Sequence, residues 1–143
     1  MKRVFLTYMF VSLGLTFSLN AQESEIGTLE TGKICFIRST GFAGSAQAFK
    51  TFIDEQFVCK LNNKKYSYHE VSVGKHTCSV QFGGKKSKEK AEKFEVDIKP
   101  GQITYVQLVF ETGVFVNNVY CEEVTQNTAE NKIKDLMEDD KCI

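Results

Sequence analysis

The stretch Ile53-Asp54-Glu55-Gln56-Phe57-Val58-Cys59-Lys60-Leu61-Asn62-Asn63-Lys64-Lys65-Tyr66, resumed at Val73-Gly74-Lys75-His76-Thr77-Cys78-Ser79-Val80-Gln81-Phe82, decides the fold. Short alternating apolar runs separated by turn residues are the signature of half-buried strands. Phe57, Cys59 and Leu61 share one face by period two. Asn62 to Lys65 supplies a turn, and Tyr66 to Val73 forms a strand with neither face purely apolar. Beyond Gly74-Lys75, Cys78, Val80 and Phe82 oppose Thr77, Ser79 and Gln81, the cleanest alternation in the chain. Gly74, Lys75 and His76 are therefore read as a structural turn that launches a core strand.

Working outward, Lys33 to Arg38 is β-branched and aromatic, and reads as a strand buried on both faces. Ser39 to Gln47 holds Gly41 and Gly44 and reads as a loop; Phe49 to Asp54 is a further strand. Gly83 to Lys93 is dense in lysine but interleaves Glu89 and Glu92 and lacks aromatics, which suits a solvated connection. Phe94 to Ile98 and Thr104 to Glu111 are expected to form a hairpin around Lys99-Pro100-Gly101-Gln102. Pro100 and Gly101 suit the two central positions of a type II turn, where glycine takes the positive φ. Val114 to Val124 adds a last strand. Ala129, Ile133, Leu136 and Met137 then recur at helical spacing, with Asn127 and Glu130 placed as a capping box, so a helix is expected from Thr128 to Glu138. The expected fold is mainly β: a single antiparallel β-sandwich of about seven to eight strands with one short C-terminal amphipathic helix. The sandwich is expected over residues 33–124, with the helix and tail of 125–143 packed on it.

The N-terminus carries a targeting pattern. Lys2 and Arg3 precede the mostly apolar run Val4 to Leu19, and Ala21 stands at a cleavage point, so residues 1–21 read as a secretory signal peptide. An uncleaved anchor is the alternative, but Thr7, Ser12, Gly14, Thr16 and Ser18 dilute the run below the roughly 20 apolar residues a span needs. Residues 22–32 are polar and acidic and read as a flexible leader. The product is expected to be exported, periplasmic or extracellular, with no stable membrane insertion after cleavage. About 120 residues remain, enough for one domain with a core. The 18 basic and 18 acidic residues give a formal net charge of 0, and loss of Lys2 and Arg3 makes it slightly negative. That balance argues against a nucleic-acid partner.

Taken in order, these residues resemble an uncharacterised bacterial family, domain-of-unknown-function family 2846, over Lys33 to Val124. The matching features are Arg38, Ile53-Asp54, Val58-Cys59-Lys60-Leu61, Tyr66, Val73-Gly74-Lys75-His76, and Pro100-Gly101 leading to Tyr105. They are also similar to carboxypeptidase-regulatory-like and PEGA-type sandwiches, in which a Pro-Gly-x-His turn introduces a strand; here Val73 replaces that proline. The resemblance implies an exported or lipid-anchored β-sandwich and no catalytic residues. A lipoprotein-type anchor is not supported, because no cysteine closes the apolar run.

Chemistry finds little purchase. His69, His76, Cys59 and Cys78 allow a zinc site to be drawn, yet no Cys-x-x-Cys or His-x-x-x-His spacing is present. Cys59 and Cys78 sit among apolar residues, as core thiols or a disulfide, rather than in the electropositive opening a reactive thiol needs. Asp54-Glu55, Glu122-Glu123 and Asp139-Asp140 are adjacent carboxylates that read as solvated turns. No catalytic, cofactor-binding or metal-binding residue is assigned, and no cofactor is implied. One disulfide follows from geometry. From Cys121 the strand climbs about 13 Å to residue 125. A helix of about 11 residues then returns about 16 Å, which brings Cys142 level with Cys121. The expected function is a non-enzymatic binding or envelope-associated module with an unknown protein or glycan partner. The Tyr66–Tyr68 strand is one surface for it. The alternatives are a small cysteine/histidine-dependent enzyme and an inhibitor or immunity-type partner protein.

Overall fold

The computed structural model describes residues 30–42, 44–83, 85–86, 94–113 and 117–142. The expected signal segment, most of the expected leader and most of the charged connection lie outside the described residues.

In chain order the elements are β1 (Thr31–Arg38), β2 (Phe49–Ile53), β3 (Gln56–Leu61), β4 (Lys65–Ser72) and β5 (Gly74–Phe82). There follow β6 (Lys85–Lys86), β7 (Phe94–Ile98), β8 (Ile103–Thr112), β9 (Asn117–Val124), α1 (Gln126–Ile133) and β10 (Met137–Glu138). The protein is mainly β, with two sheets and one helix among the described residues. The first sheet runs β10-β4-β1-β8-β9; the second runs β3-β2-β5-β6, with β7 also paired to β5.

Three expectations are corrected. The first sheet is mixed, not antiparallel: β1 lies parallel to β8, with Lys33 opposite Ile103, and β10 lies parallel to β4. The connection from β1 to β8 passes through β2 and β3 of the second sheet, β4 of the first and β5 to β7 of the second, the long crossover that a parallel pair requires. Among the described residues the strands number ten, because the two-residue β6 and β10 carry no alternation long enough to read. The third correction concerns β7 and β8, which are not a hairpin. β7 pairs with β5 and β8 with β1 and β9, so the turn between them is a corner joining the sheets. Its chemistry is as expected: Gly101 has φ 66°, and Gln102 N–H donates to Lys99 O at 3.2 Å, which closes the turn. Gly101 N–H reaches Thr31 O at 2.8 Å, which docks the corner on β1. Gly32 makes that approach possible, because a Cβ there would lie 2.6 Å from both Ile98 Cγ2 and Lys99 O.

The main core lies between the sheets. Ile34, Phe36, Val106, Leu108, Val119 and Cys121 come from the first sheet, and Phe49, Ile53, Cys59, Leu61, Cys78, Val80, Val96 and Ile98 from the second. β1 is buried on both faces, as its composition requires. Cys35 and Ile37 point the other way, beneath Ala129, Ile133 and Leu136 of the C-terminal segment. The helix is shorter and earlier than its apolar spacing implies. Thr125, not Asn127, is its N-cap and accepts from Thr128 N–H. Chain geometry changes after Ile133, so Leu136 packs from a turn and Met137 is exposed. The segment crosses the outer face of the first sheet from β9 to the opposite edge, where β10 pairs with β4.

Arg38 closes one end of the core. It is fully buried and stacks over the Phe49 ring at 3.6 Å. Its guanidinium donates to Leu61 O at 2.6 Å and to Gly44 O and Gln47 O at 2.7 Å. These bonds fix the loop after β1 to the end of β3. Burial lowers its pKa to about 10, which leaves it charged at neutral pH. Phe49, Phe82 and Phe110 complete the seal, with Phe82 and Phe110 in edge contact at 4.9 Å between centroids.

Candidate functional site

The second sheet ends in β3 and the first in β4, with β10 covering only the Lys65–Tyr66 end of β4. Between the two sheet edges opens a cleft of about 520 Å³. One wall is the consecutive run Tyr68–Ser72 of β4; the other is Gln56–Val58 of β3, with Ile53 nearby. Asp54 and His76 stand at one end.

That end is a clamp built on a strained turn. Asp54 and Glu55 link β2 to β3 with φ of 48° and 66°, two successive left-handed residues without a glycine. Such a two-residue loop matches the twist of the flanking strands but costs energy for residues bearing a Cβ. Asp54 offsets the cost. Its Oδ1 accepts from Thr77 N–H at 2.8 Å, its Oδ2 faces His76 Nδ1 at 2.6 Å, and its own N–H donates to Thr77 O at 2.8 Å. His76 Nε2 meets Ser72 O at 2.8 Å. Both partners of the ring are acceptors, so both nitrogens carry protons and the ring is an imidazolium. The clamp thus joins the β2–β3 turn, the start of β5 and the end of β4.

The titration behaviour agrees. Burial alone would lower the His76 pKa, but the hydrogen bonds to Asp54 and Ser72 O and the Asp54 charge outweigh it and raise it above 6.5. Burial pushes Asp54 up, yet the Thr77 N–H, the His76 contact and charge, and the Thr77 hydroxyl bring it below 3.8. Ser72 Oγ lies 3.4 Å from His76 Nε2, which completes an Asp-His-Ser geometry on paper. A ring with both nitrogens protonated has no lone pair with which to take the hydroxyl proton.

His69 lies further along the cleft. Its neighbours on the inner face of β4 are Ser67 and Val71, and its ring packs on Phe36 with centroids 5.7 Å apart. Nε2 is 3.0 Å from Ser67 Oγ. Burial lowers its pKa, so the ring is neutral at neutral pH. Among the described residues Nδ1 has no hydrogen-bond partner, which leaves it to the cleft.

A family model described as a protein of unknown function, DUF2846, matches residues 28–121. The chain belongs to this family. The match runs from the start of β1 into β9 and does not include α1, β10 or Cys142. No curated protein and no solved structure matches the chain.

The residues singled out in the sequence fall as follows. Gly74 opens β5 at φ 126°, Lys75 pairs with Glu95 at 2.7 Å, and His76 holds the clamp. Pro100 and Gly101 form the corner at the far end of β1. The proposed Cys121–Cys142 disulfide is corrected. Cys142 is bonded to Cys59, with Cα atoms 4.7 Å apart, and Cys121 is buried and unbridged. The tail does not turn back along β9; it crosses the sheet to the β4 edge and continues to β3. There Asp139 N–H donates to Tyr66 O at 2.8 Å and the Asp139 carboxylate pairs with Lys65 at 3.1 Å. The zinc set is not assembled, since Cys59 is spent on Cys142. Among the described residues no group of three metal-ligating side chains converges. Burial pushes the Cys35 and Cys78 thiols up to about 12 and Cys121 well above its usual value. They are protonated at neutral pH, and among the described residues none hydrogen-bonds a histidine. Among the described residues no helix is long and apolar enough to cross a membrane.

Two features escaped the sequence reading. Beyond their place in the family pattern, Asp54 reads from the sequence as a solvated carboxylate and Arg38 as a strand end. The available signal for Arg38 is an arginine that follows the apolar run Ile34–Ile37 and precedes an uncharged, glycine-containing loop.

Proposed function

We infer that the protein is an exported, non-enzymatic β-sandwich module that binds a partner in the cleft between its sheet edges. The observation that carries this reading is a roughly 520 Å³ opening flanked by exposed Phe57 and Tyr68, while His76 and the cysteines are committed to structural contacts. His76 holds Asp54 and Ser72, Cys59 holds Cys142, and the remaining thiols are buried. A disulfide suits an oxidising compartment, which agrees with the export pattern of residues 1–21.

The test is capture with the immobilised, oxidised protein against envelope and secreted extracts and a glycan array. It is run beside Phe57→Asp, which alters an exposed cleft wall. A partner retained by the wild type and lost by the variant supports the reading. Turnover of ester, peptide or glycoside reporters, abolished by His69→Ala, would overturn it in favour of the histidine-dependent enzyme.

A further inference from the structure

The cleft is a slot along a strand edge, and its backbone chemistry says more than its side chains. Met137 N–H donates to Lys64 O and Asp139 N–H to Tyr66 O, so the even-numbered residues of β4 turn their backbone groups away from β1. Val73 N–H donates to Glu30 O, on the β1 side, which confirms the alternation for the odd-numbered ones. Tyr68 and Glu70 therefore aim N–H and C=O groups at the open edge. β1 holds the other side of β4 throughout, and among the described residues no strand pairs with this outer edge beyond Tyr66. An unpaired edge is a template for a further strand.

This edge already takes one. β10 lies on it in register for two residues, with Met137 opposite Lys65 and Glu138 opposite Tyr66, before the tail leaves for Cys59. From Tyr68 to Ser72 the same edge continues for roughly 13 Å, bounded by the tail at one end and the His76 clamp at the other. The inward side chains there are His69 and Val71, and the opposite wall is Phe57 and Val58. A strand laid on this edge would alternate, pointing every second side chain into the space between the sheets.

We propose that the slot is a strand-addition site for an extended peptide segment of a partner protein. The segment pairs with Tyr68–Ser72 in line with β10 and places an apolar side chain against Phe57, Val58 and Val71. Main-chain hydrogen bonds supply affinity and the cleft supplies side-chain selection, with His69 Nδ1 as its polar contact. The proposal rests on the binding reading above and names its ligand class.

The probe is a phage-displayed library of random linear peptides selected on the purified, oxidised protein. Synthetic copies of enriched sequences follow, N-methylated on one or the other alternate set of amides. Enriched peptides should carry apolar residues at every second position. Methylating the set that faces β4 should weaken binding about tenfold or more, and methylating the other set should not. Glu70→Pro removes an outward N–H that serves no ladder, a place where an edge strand tolerates proline, and should weaken binding similarly. Phe57→Ser, at an exposed position, is the second variant. Failure to enrich any linear peptide, or equal indifference to both methylation patterns, overturns strand addition. A glycan or folded protein lost on Phe57→Asp while linear peptides fail to bind would overturn this inference and leave the cleft a binding site.

Discussion

Replacing Cys142 with serine tests the path of the C-terminal segment. The Cys59–Cys142 bridge closes a loop spanning 83 positions. In the chain-entropy description, a loop of that size loses about 15 cal/mol/K from the unfolded ensemble, or about 4.5 kcal/mol at 25 °C. Part of this is offset in the variant, because the freed tail gains motion in the folded state. A loss of about 3–4 kcal/mol is expected, within the range for native bridges. At the unfolding entropy usual for a domain of this length, that lowers Tm by roughly 15 °C. Thermal unfolding followed by circular dichroism, in oxidising buffer, reads the shift. Thiol titration of the denatured, unreduced wild type should find Cys35, Cys78 and Cys121, and reduction should add Cys59 and Cys142. An unchanged Tm, or a mapped peptide linking Cys121 to Cys142, refutes the reasoning.

Other outcomes follow from the same structure. Arg38→Met leaves the carbonyls of Leu61, Gly44 and Gln47 without their donor and should cost about 2–3 kcal/mol in urea unfolding; a loss under half a kcal/mol would show the loop is held otherwise. The His76 contribution is fully present below the unfolded value near 6.5 and fades as pH rises through the higher folded value. Asp54 contributes above 3.8 and is lost as pH falls through its lower folded value. The stability gap between wild type and His76→Gln should therefore be widest between about pH 4 and 6.5 and shrink above it, and a gap that widens toward pH 8 contradicts the clamp. Gly32→Ala should cost about 2 kcal/mol through overpacking against Ile98 and Lys99, more than Gly101→Ala, which strains only its φ. Equal effects would remove the close approach as the reason for Gly32.

How far the sequence reveals this molecule depends on what each pattern encodes. Alternation reports faces, so Cys78 and Val80 were placed inward and Ser79 was not, and β1 was read as buried on both sides. It does not report neighbours. The Phe94–Ile98 and Thr104–Glu111 runs were joined as a hairpin although they belong to different sheets, because a two-residue turn and a sheet corner are written with the same Pro-Gly. Nothing local says that β8 returns beside β1. The stripe Ala129, Ile133, Leu136 marked the buried side correctly, but apolar spacing outlasts the helix, and the bridge to Cys121 was built on the longer one. The clamp was half visible. His76 was read as a turn-end residue bonded to backbone, which is what Ser72 O provides, while its partner Asp54 is separated by 22 positions and an unfavourable φ.

The strap formed by α1, β10 and Cys142 follows every other element in the chain, and that order has a temporal consequence. As the polypeptide emerges, Cys59 meets Cys35, Cys78 and Cys121 before its own partner exists. Withdrawal of those three thiols into strands before the tail docks would protect the bond from mispairing. Without the tail the outer edge of β4 is open from Lys65 onward, so β10 and an added strand would draw on the same row of backbone groups.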